Sequence, residues 1–215
     1  MAAQKPGLFI VLEGGEGVGK STNMAFIQQY LQQQQITFTA SREPGGTPFA
    51  EQIRELILAK QEESVDATAE LLLVFAARAQ HLAQKIQPTL AAGQWLVCDR
   101  FTDATYAYQG GGRQLSKQLI AELEQMVQGD LRPDKVIVLD APIEVGRARA
   151  ANRAELDRLE SEQDAFHQRV RAAYLERAAA RPDHYAVIDA TQPLVQVQED
   201  ISSVLDQLIQ QWRAA

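Results

Sequence analysis

Short apolar runs alternate with longer stretches in which apolar residues recur every three or four positions. The short runs are Leu8-Phe9-Ile10-Val11-Leu12, Ile36-Thr37-Phe38-Thr39-Ala40, Trp95-Leu96-Val97-Cys98, Val136-Ile137-Val138-Leu139-Asp140 and Tyr185-Ala186-Val187-Ile188-Asp189. Runs of this length, rich in β-branched and aromatic residues, predict strands, and the most continuous of them predict burial on both faces. The helical period predicts helices over 21–35, 49–58, 66–89, 115–127, 143–152, 165–181 and 194–212. In the third of these Leu71, Leu72, Phe75, Ala79 and Leu82 make the expected buried stripe. Strands joined by crossover-length helical segments imply an α/β fold: a doubly wound, five-stranded parallel sheet with helices on both faces. The first strand should lie centrally. Strand tips then carry Gly14 to Ser21, Arg42, Asp99, Asp140 and Ala190 to one edge.

Composition narrows this only a little. A chain of 215 residues that is 46% hydrophobic can bury one sizeable core, so one domain over 1–215 is expected. A net charge of −7 argues against a protein that coats nucleic acid or anionic membrane. The one cysteine, Cys98, excludes an internal disulfide and reads as an inert buried strand thiol. The start, Met1 to Gly7, has no apolar signal core, and no run approaches about 18 apolar residues. The expected home is a reducing cytoplasm.

Chemistry concentrates at the predicted strand tips. Gly14-Gly15-Glu16-Gly17-Val18-Gly19-Lys20-Ser21 fits G-x-x-x-x-G-K-[ST] between a strand and a helix. Its glycines let the backbone turn through positive φ and converge several N–H groups on phosphate oxygens. Lys20 would reach the β- and γ-phosphates of a nucleoside triphosphate, and the Ser21 hydroxyl would ligate Mg²⁺. Arg42-Glu43-Pro44-Gly45-Gly46-Thr47-Pro48 is a loop past the second strand, a site segment or a solvated turn. Arg54 lies on the short helix after it. Arg78 interrupts the margin of an apolar stripe, so it either snorkels to water or faces a polar pocket. Asp99 sits where a Walker-B aspartate holds Mg²⁺, and Arg100 beside it can take a phosphate bidentately. Thr102 to Gln109 reads as a pocket wall, and Gly110-Gly111-Gly112 as a flexible hinge. Arg147, Arg149, Arg153 and Arg158, interleaved with acids, are a solvated helical face or a mobile lid at about 147–162.

The phosphate loop alone does not name a reaction. A small chain with acceptor-side cations and an arginine-rich segment able to close favours phosphoryl transfer over a motor or switch. Glu13-Gly14-Gly15-Glu16-Gly17-Val18-Gly19-Lys20-Ser21-Thr22, Arg42-Glu43-Pro44-Gly45-Gly46-Thr47, Asp99-Arg100-Phe101 and Ala107-Tyr108-Gln109-Gly110-Gly111-Gly112-Arg113 resemble the bacterial thymidylate kinase family over nearly the whole chain. Glu155-Leu156-Asp157-Arg158 and Ile188-Asp189-Ala190-Thr191-Gln192-Pro193 match as well.

The resemblance implies a P-loop NTPase of the nucleoside monophosphate kinase type. Its expected reaction is ATP + dTMP → ADP + dTDP with Mg²⁺, by direct in-line transfer in a homodimer. It implies that Lys20, Ser21 and Thr22 serve the ATP phosphates and metal, with Gln192 beside the adenine. Glu16 would meet the acceptor's 3′-hydroxyl. Glu43 and Pro44 would wall the acceptor site, with Arg54 and Arg100 on its 5′-phosphate. Arg78, Thr105 and Gln109 would contact the thymine edge, and Tyr108 would crowd the 2′ position. Some yeast and human members carry a phosphate-loop arginine at the position of Gly17. Here the lid must supply that cation, with Arg153 first and Arg149 and Arg158 in support. The family's base-stacking phenylalanine falls on Val74, with Phe75 one residue on, so either side chain is a candidate wall. Rival readings are a kinase for another nucleoside monophosphate or a deoxynucleoside, and a P-loop switch; the guanine signature Asn-Lys-x-Asp of a GTP switch is absent.

Overall fold

The computed structural model describes residues 5–150 and 157–214. The apolar runs form β1 (Phe9–Gly14), β2 (Phe38–Arg42), β3 (Trp95–Asp99), β4 (Lys135–Asp140) and β5 (Tyr185–Asp189). All pair in parallel, in the order β2-β3-β1-β4-β5, with the phosphate-loop strand central as expected. Alternate residues of β1 enter different layers. Ile10 and Leu12 meet Ile27 and Leu31 of α1 (Lys20–Gln33) and Ile201 and Leu205 of α9 (Leu194–Ala214). Phe9 and Val11 meet Val170 and Tyr174 of α8 (Asp164–Ala180). Each such side chain removed from water contributes about 1.5–3 kcal/mol, which is why a strand covered on both faces reads as a continuous apolar run.

The winding reverses at β1, which pairs with β3 on one side and β4 on the other. A crevice opens beyond the carboxyl ends at such a switch point. Register levels the tips: Leu12 and Arg42 both pair with Asp99, and Gly14 with Leu139. Connecting the strands are also α2 (Pro48–Leu58), α3 (Ala67–His81), α4 (Gln87–Ala91), α5 (Thr102–Thr105), α6 (Lys117–Gln128) and α7 (Ile143–Ala150).

Four local expectations are corrected. First, β2 starts two residues later than its apolar run and ends on Arg42, because β3 supplies ladder partners as far as Asp99 and Glu43 N donates to the Asp99 carbonyl at 2.9 Å. Second, the helix expected over 66–89 is interrupted by a π-turn at Leu82–Ile86. Pro88, near the start of α4, has no N–H for the carbonyl four residues back, and the ladder widens upstream of it. Third, Leu72 and Ala79 are exposed, and α3 instead buries Leu71, Val74, Phe75, Arg78 and His81. Its inner face is centred on a buried ion pair that an apolar pattern reads as surface. Fourth, Gly110 to Gly112 are no hinge. They close a π-turn, Tyr106–Gly112, packed on α8, where a Cβ on Gly111 would lie 2.8 Å from the Arg169 carbonyl oxygen and 2.9 Å from the Ala173 Cβ.

Gly111→Ala should therefore overpack that contact and cost about 1–3 kcal/mol, against about 0.5 or less for a solvated hinge. A thermal melt checks it, at about 2–4 °C per kcal/mol for a chain of this length.

Candidate active site

The loop between β1 and α1 turns through positive φ at Gly17 (69°) and Gly19 (94°). Gly17 is also pressed against α7: a Cβ there would sit 2.0 Å from the Gly146 carbonyl oxygen. Gly146, which the sequence reading passed over, answers it, since its own Cβ would meet the Glu16 carbonyl oxygen at 2.2 Å. The helix leading into the expected lid thus touches the phosphate loop backbone to backbone. Lys20 folds over the loop, donating to the carbonyls of Gly15 at 2.5 Å and Gly14 at 3.1 Å. Burial and the nearby Arg100 cation lower its pKa to about 8. Ser21 lines the cleft; Gly14, Gly15 and Val18 complete the loop, and Thr22 faces outward.

Arg100 joins this loop to the tip of β3. It is one of three non-glycine residues with positive φ among those described, at 67°. Its guanidinium donates from Nη1 to the Gly14 carbonyl and the Tyr174 hydroxyl, both at 3.0 Å, and from Nη2 to Glu16 Oε1 at 2.6 Å. Tyr108 lies under it, 4.7 Å from guanidinium carbon to ring centre, and donates its hydroxyl to the same Glu16 oxygen at 2.5 Å. Burial alone would push the Glu16 carboxyl up, but Arg100, Lys20 and the Tyr108 hydroxyl prevail and hold it down to about 2. Behind the loop, burial and then Asp103 raise Glu13 to about 8. It accepts from the backbone N–H groups of Phe101 and Ala104 and from Tyr174. Asp99 lines the same cleft with a buried Oδ1 that has no hydrogen-bond partner.

Across the cleft, α3 settles the alternative left open for Arg78: it is 1% exposed and faces a pocket. Nε donates to Glu43 Oε2 at 2.8 Å, and Nη2 to Thr105 Oγ1 at 2.9 Å and the Phe101 carbonyl at 3.1 Å. Nη1 is buried without a partner. The rings of Phe75 and Phe101 lie 5.0 and 5.1 Å from the guanidinium carbon. His81 braces Glu43 from behind, with Nδ1 2.9 Å from Oε1 and Nε2 2.6 Å from Ser41 Oγ. Arg54 donates to the Pro44 carbonyl at 2.9 Å. Burial, Arg42 and Arg100 depress its pKa, against the opposing pull of the Glu51 and Asp99 carboxylates.

Of the two candidate stacking residues, Val74 reaches the cleft. Phe75, about 100° further round the helix, packs with Leu71, Tyr106 and Ile120 instead. Gln109 lines the cleft and donates from Nε2 to the buried Glu70 at 2.8 Å. Arg158 is not brought to the phosphate loop; it donates to Glu70 at 2.6 Å and to the Ile57 carbonyl at 2.9 Å. Arg149 donates to the Ala190 carbonyl at 2.8 Å, on the side where Gln192 bonds Asp200. Arg153 lies outside the described residues. Asp157, Leu159 and Glu160 also line the cleft. In the sequence these acids read only as spacers between arginines.

A glycine loop at the switch point of a 2-3-1-4-5 parallel sheet, facing a second, cation-lined cleft, defines a P-loop kinase of the nucleoside monophosphate type. The comparisons narrow the class. The thymidylate kinase family model matches residues 12–201. A thymidylate kinase of Pseudomonas savastanoi pv. phaseolicola is 58% identical over 204 residues, 95% of this chain and 97% of that protein. One from Teredinibacter turnerae is 58% identical over 200 residues, 93% and 98% of the two chains. Among solved structures, a thymidylate kinase from Ehrlichia chaffeensis superposes with a TM-score of 0.73 at 30% identity, over 93% of this chain and 99% of that one. The chain belongs to the thymidylate kinase family.

A carboxyl group whose pKa is lowered by folding stabilises the fold above its ordinary value and loses that contribution as pH falls. The Tm difference between wild type and Glu16→Gln should therefore narrow as pH drops from the ordinary 4.5 of a glutamate towards 2, as thermal melts across that window would show.

Proposed function

We propose that this chain transfers the γ-phosphoryl group of ATP to dTMP, giving ADP and dTDP. The observation that carries the reading is the pairing of two sites along one sheet edge, within a chain of this family. The glycine loop offers its backbone N–H groups and Lys20 to a triphosphate, while Arg54 and Arg78 face it across the cleft and Arg100 stands between, bonded to the loop itself. ATP occupies the loop from Gly14 to Thr22, with Gln192 and Arg149 near its base. Lys20 gives up the Gly14 and Gly15 carbonyls for the β- and γ-phosphate oxygens.

The acceptor lies between α2, α3 and the segment after β3. Arg54 and Arg100 take its 5′-phosphate, and Glu16 and Tyr108 meet its sugar. Arg78 offers the unpaired Nη1 to a base oxygen, an atom whose burial without a partner costs about 1–3 kcal/mol until one arrives. Thr105 and Gln109 complete the base edge, Val74 packs against its face, and Glu43 and Pro44 form the wall. The acceptor phosphate is already anionic, so no strong general base is required. Positioning and charge neutralisation carry an in-line transfer without a covalent enzyme intermediate. The Ser21 hydroxyl in the first turn of α1 and the unpartnered Asp99 Oδ1 at the tip of β3 are hard oxygen donors, and they fit Mg²⁺. When bound, the ion neutralises phosphate charge. The segment at about 147–162 acts as the lid, with Arg153 as its leading cation and Arg149 in support, while Arg158 anchors the segment on Glu70 and α2.

The protein is read as a homodimer. Leu72, Ala76 and Ala79 follow one another at helical spacing on the outer face of α3, all exposed. A cytoplasmic location belongs to the same reading. No helix among the described residues is long and apolar enough to cross a membrane.

Coupled ADP production with each nucleoside monophosphate in turn should show dTMP as the preferred acceptor; equal hydrolysis with no acceptor would instead favour a switch. Lys20→Ala and Arg153→Ala should each lower kcat by roughly a hundredfold or more while the far-UV spectrum is retained. Full activity in Arg153→Ala would remove the lid assignment. Leu72→Glu should convert the dimer to monomer in sedimentation velocity.

A further inference from the structure

Glu70 has no direct part in the transfer described above, yet it is fully buried in the first turn of α3. Three side chains from two separate segments converge on its carboxyl group. Gln109 Nε2 donates at 2.8 Å, Arg113 through Nη2 at 3.2 Å and Nε at 3.3 Å, and Arg158 Nη2 at 2.6 Å. Arg158 is itself moored to α2, its side chain to the Ile57 carbonyl and its backbone N–H to that of Leu58. Burial by itself would push Glu70 up, but hydrogen bonds from Arg113 and Gln109, with Arg158, outweigh it and hold its pKa below the ordinary value.

An ionised carboxyl group accepts hydrogen bonds and cannot donate them. A glutamine side chain has one donor end and one acceptor end. Facing Glu70, Gln109 must therefore present its NH₂ group there and turn its carbonyl oxygen away. Both ends are nearly isosteric, so nothing but the partner decides which way the amide lies. Pyrimidine bases differ at the corresponding edge: thymine and uracil carry an N3–H donor, whereas N3 of cytosine is a bare acceptor.

We propose that Glu70 is a positioning residue for base selection: it locks the Gln109 amide so that a carbonyl oxygen faces N3 of the acceptor base, admitting thymine and rejecting cytosine. Arg113 and Arg158 serve this by keeping Glu70 ionised. The proposal rests on dTMP occupying the cleft with its base against Gln109.

The test uses Glu70→Gln, an isosteric change whose amide can either donate or accept, so that Gln109 is free to lie either way. kcat and KM are measured with dTMP and with dCMP for wild type, Glu70→Gln, Gln109→Ala and the double variant. The preference for dTMP in kcat/KM should fall by about tenfold or more in Glu70→Gln, mainly through KM, since an unmatched polar edge is what a hydrogen-bonding site rejects. With Gln109→Ala already present, adding Glu70→Gln should change the preference by less than about twofold, the non-additivity expected when one residue acts through another. An unchanged preference in folded Glu70→Gln, or the same loss with and without Gln109, overturns the proposal. Should Glu70→Gln not fold, Arg158→Ala replaces it. With one cation removed, Glu70 takes up its proton at higher pH, so the preference should weaken on acidification; a preference independent of pH overturns the proposal. Wild-type enzyme inactive on dTMP would sink the functional reading itself, whereas active wild type with an unaltered variant sinks only the role of Glu70.

Discussion

One guanidinium ties the two halves of the cleft together. Arg100 leaves the tip of β3 with a positive φ and reaches the Gly14 carbonyl, Glu16 and the hydroxyl of Tyr174. Left-handed backbone costs about 1–3 kcal/mol in a side chain of this size and persists only where surrounding contacts over-determine it. Those contacts come from β1, the phosphate loop and α8. Through Tyr174, α8 thus takes a direct part in holding the phosphate loop in place.

The rest of the site follows the same logic of charges held in readiness. Lys20 rests on the loop's own carbonyls, and Arg100 on Glu16. Arg78 is paired with Glu43, which His81 braces. Taking such charges out of water is expensive, and the attraction within each pair recovers the cost only when geometry is good and further hydrogen bonds complete it. The cleft supplies those bonds for most groups and leaves a few unfilled, notably Arg78 Nη1 and Asp99 Oδ1. A cavity wall built this way is organised before any ligand enters, so binding spends little on rearrangement.

Much of this was legible beforehand. The strand runs, the central place of β1 and the phosphate loop all came from patterns that local physics enforces: period, glycine where φ is positive, apolar runs where both faces are covered. Two of the departures share one cause. Apolarity alone predicts Leu72 and Ala79 inside, and glycine content alone predicts a loose Gly110 to Gly112. In fact α3 turns a charged residue inward, since Glu43 waits there to pair with it, and the glycines are small because α8 passes against them. Asp157 and Glu160 shape a local capped turn, but what carries that turn to the cleft is Leu159 packing against α2 and α3, which no local pattern encodes.

By itself the sequence determined the sheet, its winding and the phosphate-binding loop, since these depend on hydrophobic period and backbone freedom, properties carried by neighbours a few residues apart. Which way Arg78 points, whether Val74 or Phe75 meets the cleft, and which partners Glu70 gathers were decided only by tertiary structure. Those outcomes turn on pairings between side chains 27 to 88 positions apart, and no periodicity along the chain encodes which buried charge will find which partner.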